Sequence, residues 1–203
     1  MFTHKQDNSF LRKTCTFVSP ISPSGMKKIF FPVALIGLAL GLLVHILSLL
    51  HIDVIDAVPY VWVLHAGIFI TFGPALIGVI MSKEYRELEG GSIVNRMNPL
   101  KLLKVMFGHL PKWVFPILVL TFVYTFINFS LFMQSEKGSP SFMNGQYVLA
   151  SHGQVLEVIT EQQFHYYQAN ELRGFSGHWI FFYCISAAML YPYKKNKPKL
   201  DSI

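Results

Sequence analysis

Of the eight histidines in this chain, three fall in or at the edge of long apolar runs, where an imidazole is costly unless it is used. His45 stands about five residues before the end of the run Ile29–Leu50, and His65 stands about five after the start of Tyr60–Met81. If the chain crosses a bilayer back and forth, these two lie at similar depth. Asn128, about five residues before Met133, and His178, near the start of Phe175–Pro192, join the same layer. Two neutral imidazoles could ligate a haem iron axially, and three could hold zinc or copper. Against this, no spacing forces His45 and His65 to face each other, no single run carries H-x-x-x-H, and no carboxylate lies within the runs to orient a ligand. The favoured reading is that these groups hydrogen-bond between helices and hold a bundle together. A proton or solute pathway is a third reading. It draws on Thr121, Tyr124, Thr125 and Asn128, a stripe on the run Trp113–Met133 that should face inward.

Outside the runs, His51 with Asp53 and Asp56 could form a weak metal or pH-sensing trio, or simply a solvated loop. His152 and His165 read as surface groups. Catalytic signatures are not found: there is no P-loop, G-x-G-x-x-G or H-E-x-x-H, and no G-x-S-x-G. Cys15 and Cys184 offer neither a redox pair nor a zinc site. No cofactor is therefore predicted, with haem or a transition metal at the histidines as the alternative.

The elements that must position these residues are membrane spans. Charged residues are only 14% of the 203, hydrophobic ones 52%. A hydrocarbon core of roughly 30 Å takes about 20 helical residues. Ile29–Leu50, Tyr60–Met81 and Trp113–Met133 meet that length without one Asp, Glu, Lys or Arg, and the 18 residues of Phe175–Pro192 meet it narrowly. The expectation is an all-α integral membrane protein built as a four-helix transmembrane bundle. Its parts would be a cytoplasmic tail (1–28), spans one to three (29–133) with an amphipathic cytoplasmic loop (82–112), an external module (134–174), span four (175–192) and a basic tail (193–203). Gly37 and Gly41 form G-x-x-x-G in span one, a close-packing or self-association face.

Lys and Arg are retained on the cytoplasmic side of short loops. Fifteen of the 17 fall before span one, in loop 82–112, or after span four, and only Lys137 and Arg173 fall in the other loops. Both termini are thus expected inside, in a cytoplasmic-type cell membrane. The basic balance is used by topology and does not point to nucleic acid.

Two loops have readable content. Ser82–Glu89 reads as a continuation of the second helix, broken at Gly90-Gly91, and LKLLKVMFGHL after Asn98-Pro99 reads as an interfacial helix with Lys101 and Lys104 toward anionic lipid. Outside, 138–145 reads as a loop, and Gln146–Leu149 and Gln154–Ile159 as a hairpin turning at Gly153. Thr160 with Gln163 forms a capping box that starts a helix aimed at span four. This hairpin-plus-helix module suits docking or sensing. The functional expectation is a non-enzymatic accessory, sensor or interaction subunit, with a lipid bilayer and either a second copy or another membrane protein as partners. A haem or metal redox protein and a small channel or transporter are the alternatives.

Overall fold

A computed structural model describes residues 23–91, 98–135 and 137–192. Residues 1–22 of the expected tail 1–28, the expected basic tail from 193 to 203 and Arg96 in the loop 82–112 lie outside the described residues. The protein is mostly helical. In chain order the elements are α1 (Pro23–Leu49), α2 (Val54–Ala57), a 3-10 turn (Pro59–Trp62), α3 (Val63–Ile80), α4 (Lys83–Glu89), α5 (Pro99–Phe107), α6 (Val114–Ser135), the strands β1 (Ser139–Met143), β2 (Gln146–Ser151) and β3 (Gln154–Val158), and α7 (Glu161–Leu190).

Three stretches, Gly25–Leu49, Pro59–Ile80 and Val114–Ser135, are helical, long and apolar enough to cross a membrane. They surround α7, which packs against α1, α3 and α6. This arrangement explains the composition of each helix. The outer three turn Ile36, Leu43, Phe69, Ile70, Leu120 and Phe126 outward, and these remain exposed. The central helix packs against the other three, so Ala169, Gly174, Ser176, Gly177, Ser186 and Ala187 are buried along it and its hydropathy is lower. The least apolar long helix is therefore the most buried one. The predicted span 175–192 is the second half of this 30-residue helix, whose first half belongs to the external module.

Several boundaries differ from the expectation. Helix α1 begins at Pro23, so Lys27 and Lys28 are helical and not part of a tail. The second long helix does not continue through Ser82: it stops at Ile80, and Ser82, extended at φ −70 and ψ 152, caps a new helix by accepting from the Tyr85 N–H. A serine side chain that satisfies an orphan amide makes a restart cheaper than continuation. Helix α5 forms where predicted, capped by Asn98. Its Met106 and Phe107 rest on the cluster of Ala34, Ala75 and Ala187, while Leu100, Leu102 and Leu103 stay exposed.

The module expected outside has three strands, not two, in the antiparallel order β1-β2-β3. The segment read as a loop contains β1. Its turn to β2 is Asn144-Gly145, with φ 52 and 80, and the turn from β2 to β3 is His152-Gly153, with φ 50 and 80. Positive φ at both central residues is the hairpin turn that matches strand twist. Pro140 is tolerated because β1 is an edge strand. The central strand buries Val148, Leu149 and Ala150, and β1 and β2 lean on α7, which supplies the packing that a bare hairpin lacks.

Candidate functional site

Two faces of α7 carry its polar and small residues. On one, Ser176, Trp179, Tyr183 and Ser186 recur at intervals of three and four and look toward α1 and α3. On the other, Asn170, Gly174 and Gly177 look toward α6.

The first face holds a bonded chain. His45 Nδ1 on α1 lies 2.7 Å from Ser176 Oγ, and His45 Nε2 meets the Tyr124 hydroxyl of α6. Ser176 donates to the Arg173 carbonyl at 3.2 Å. With that hydroxyl proton committed, Ser176 accepts from His45 Nδ1–H, so Nε2 accepts from Tyr124. One imidazole thus joins three helices. Nearby, Trp179 Nε1 donates to His65 Nδ1 at 3.0 Å, and the Tyr183 hydroxyl donates to the Leu64 carbonyl at 2.7 Å. The Tyr183 ring lies where a side chain on Gly37 would have to go, and its hydroxyl fills the corresponding place at Gly67. Two glycines thereby cut the slot that the tyrosine occupies between α1 and α3.

The second face is a ladder. Asn128 Nδ2 donates to the Arg173 carbonyl at 3.0 Å, Thr125 donates to the Gly177 carbonyl at 3.1 Å, and Asn170 donates to Ser135 Oγ at 3.1 Å. A Cβ on Gly174 would sit 2.5 Å from the Phe132 ring. Close approach at Gly174 and Gly177 is what lets these side chains reach backbone carbonyls. The helix stays continuous there, so the glycines serve contact and not a kink.

At its N-terminal end α7 is fastened twice. His165 Nδ1 meets Asp53 Oδ2 at 2.7 Å, while Asp53 Oδ1 accepts from the Ile55 and Asp56 amides and so caps α2. His51 stacks on Tyr166 with ring centroids 4.9 Å apart and planes 11° from parallel. The sheet joins through Tyr147, which donates to Glu161 at 3.0 Å and lies against Phe164. The hydrogen bond to Asp53 holds the His165 pKa above the ordinary imidazole value, aided by the charges of Asp53, Asp56 and Glu161 and opposed by slight burial.

No known family model, curated protein or solved structure matches the chain. Function must therefore be argued from this geometry.

The predicted histidine layer exists as separate bonds and not as one centre. His45, His65 and His178 each serve their own partner, the last at 3.2 Å from the Gly174 carbonyl. With both ring nitrogens engaged, His45 offers no lone pair to a metal, and His65 Nδ1 spends its lone pair on Trp179. Among the described residues no group of three or more His, Cys, Asp or Glu could hold a metal ion. The trio of His51, Asp53 and Asp56 is likewise divided: Asp53 turns to His165, His51 to Tyr166, and Asp56 is exposed. His165, read as a surface group, is the true partner of the aspartate. In the stripe of Thr121, Tyr124, Thr125 and Asn128, the last two are buried against α7, Tyr124 reaches His45, and the Thr121 hydroxyl bonds back to the Ile117 and Leu118 carbonyls. Gly37 packs on Tyr183 and Gly41 on Trp179 within the chain. Sequence reasoning missed Ser176, Trp179 and Tyr183, whose three- and four-residue spacing was the available signal.

Proposed function

We propose that the chain is a four-span membrane protein of a cytoplasmic-type membrane, with both termini inside. In this reading it is a non-enzymatic sensor or interaction subunit whose central helix joins an external module to the cytoplasmic face. The observation that carries this is α7 itself, 30 residues without a break. At about 1.5 Å per residue it is roughly 45 Å long, enough for a bilayer core and two turns or more beyond it. Its first turns hold the sheet and the 51–57 loop, and its last turns reach Met189 beside α5. The two ends also agree with the distribution of charge. The segments poor in Lys and Arg meet around His165, and Lys27, Lys101 and Lys104 gather at the other end. Asn170, Ser176, Trp179 and Tyr183 of α7 bond to α6, α1 and α3, which favours a rigid transmitting body over a lumen or a redox centre. Its partners would be the bilayer and another membrane protein or a second copy.

The test is hydrogen exchange of the purified protein in nanodiscs, wild type against Asp53→Asn. Loosening the outer fastening should raise exchange in residues 99–109 as well as in 51–57. A change confined to 51–57 and 161–166 would remove the transmitting role.

A further inference from the structure

At the end of the bundle away from the sheet, α1, α3, α4, α5 and α7 enclose a cleft of about 910 Å³. Its polar lining includes Lys27, Ser82, Glu84, Glu87, Lys104 and His109, and its apolar wall includes Val79, Leu88, Val105 and Met189. With Lys101 also on the lining, the lysines outnumber the carboxylates. His109 lies just past the C-terminal cap of α5, and its Nε2 is buried with no hydrogen-bond partner among the described residues. A buried ring nitrogen left unpaired costs free energy comparable to a lost hydrogen bond, and such an atom marks a place where a polar group belongs.

We propose that this cleft holds the phosphate of an anionic phospholipid headgroup, with Lys104 and Lys27 as countercharges and His109 Nε2 as a hydrogen-bond donor. The proposal rests on the membrane reading given above and assigns a ligand to its cytoplasmic end. Two features favour a lipid over free phosphate. The volume lies in the range of pockets for much larger ligands, and the apolar wall runs beside exposed Ile77, Ile80 and Met81 of the second long helix, where an acyl chain would continue. Burial first, and the Lys27 charge second, push the His109 pKa below its ordinary value, against a backbone hydrogen bond to Ala188 and the charge of Glu84. That shift favours the neutral ring. A phosphate oxygen can only accept, so docking places a proton on Nε2. Lys27, Lys101, Lys104, Glu84 and Glu87 are the other ionisable groups facing this ring or cleft.

The experiment is native mass spectrometry of the full chain in nonionic detergent, titrated separately with dioleoyl phosphatidylglycerol, dioleoyl phosphatidylcholine and inorganic phosphate. One phosphatidylglycerol should be retained in preference to phosphatidylcholine, and more strongly at pH 6 than at pH 8. Each lysine near an anionic lipid surface contributes about 1 kcal/mol, so Lys104→Gln should weaken retention about fivefold. His109→Gln should weaken it and remove the pH dependence, whereas Glu87→Gln should strengthen it, a gain that misfolding cannot imitate. Equal retention of the two lipids, indifference to Lys104→Gln, or displacement of the lipid by equimolar inorganic phosphate would each overturn the proposal. The assay does not depend on orientation in a membrane, so its failure leaves the four-span reading standing.

Discussion

His165 on α7 and Asp53 in the loop after α1 are joined at 2.7 Å, and the same carboxylate caps α2 with its other oxygen. One side chain thus shapes the loop and ties it to the helix that runs through the bundle. Because the two residues are 112 positions apart, the bond closes the outer end of the fold.

This pair gives a pH dependence with a definite sign. The folded-state pKa of His165 is raised, so its stabilising contribution is complete below the unfolded value of about 6.5 and is lost as pH rises through the raised value. Exchange protection of residues 51–57 should therefore be greater at pH 6 than at pH 8.5. Asp53→Asn keeps a good helix cap but removes the charge, and should flatten this dependence, whereas Asp53→Ala should in addition cost about 1 kcal/mol of local stability.

The slot for Tyr183 separates two glycines that look alike in sequence. Gly37→Ala drives a methyl into the Tyr183 ring and should destabilise the protein by about 1–3 kcal/mol. Gly41→Ala meets Trp179 Cβ at 3.7 Å, an ordinary contact, and should be nearly neutral. Reversible unfolding in mixed micelles measures both. Equal effects would mean that α1 and α7 do not pack in this register.

Asn128 is buried and bonds across helices to the Arg173 carbonyl. Asn128→Leu keeps the shape and removes the donor, so it should cost about 0.6–1.7 kcal/mol, the range for interhelical hydrogen bonds in membranes. His45→Phe should cost more, because it takes a partner from both Ser176 and Tyr124. Since the His45 nitrogens are already engaged, the purified wild-type protein should show no Soret band and no stoichiometric metal, measured by absorbance and elemental analysis.

The capping box at Thr160 and Gln163, with both reciprocal bonds formed, starts α7 beneath the sheet. Thr160→Ala should cost about 1 kcal/mol and raise exchange most in the first turn, 161–164.

Patterns that depend on neighbouring residues were legible in the sequence: the apolar runs, the Asn98 and Thr160 caps, the Gly90 stop and the inward stripe of α6. What depends on three-dimensional apposition was not. Asp53 was visible as a loop aspartate, but its histidine lies far away in sequence. The capping box placed the start of α7, but its continuity with the expected span 175–192 was not legible, because hydropathy underestimates a helix wrapped by protein and Gln162, Gln163, Asn170 and Arg173 interrupt the apolar run. Strand β1 was masked by Ser139, Pro140 and Ser141, although Asn144-Gly145 carried the turn signal. Similar spacing from the ends of the apolar runs suggested one centre, yet rotation about each helix axis, which that spacing does not fix, sends His45, His65 and His178 each to its own partner.

The most direct test of the account is the side of the membrane on which each end of α7 lies. With Cys15 and Cys184 replaced by serine, single cysteines at Gly145 in the outer turn and at Gly91 beyond α4 can be challenged with an impermeant maleimide. The account predicts that intact cells label position 145, and that position 91 labels only after permeabilisation. Labelling of both positions in intact cells, or of neither, would contradict a helix that carries the outer module through the bilayer.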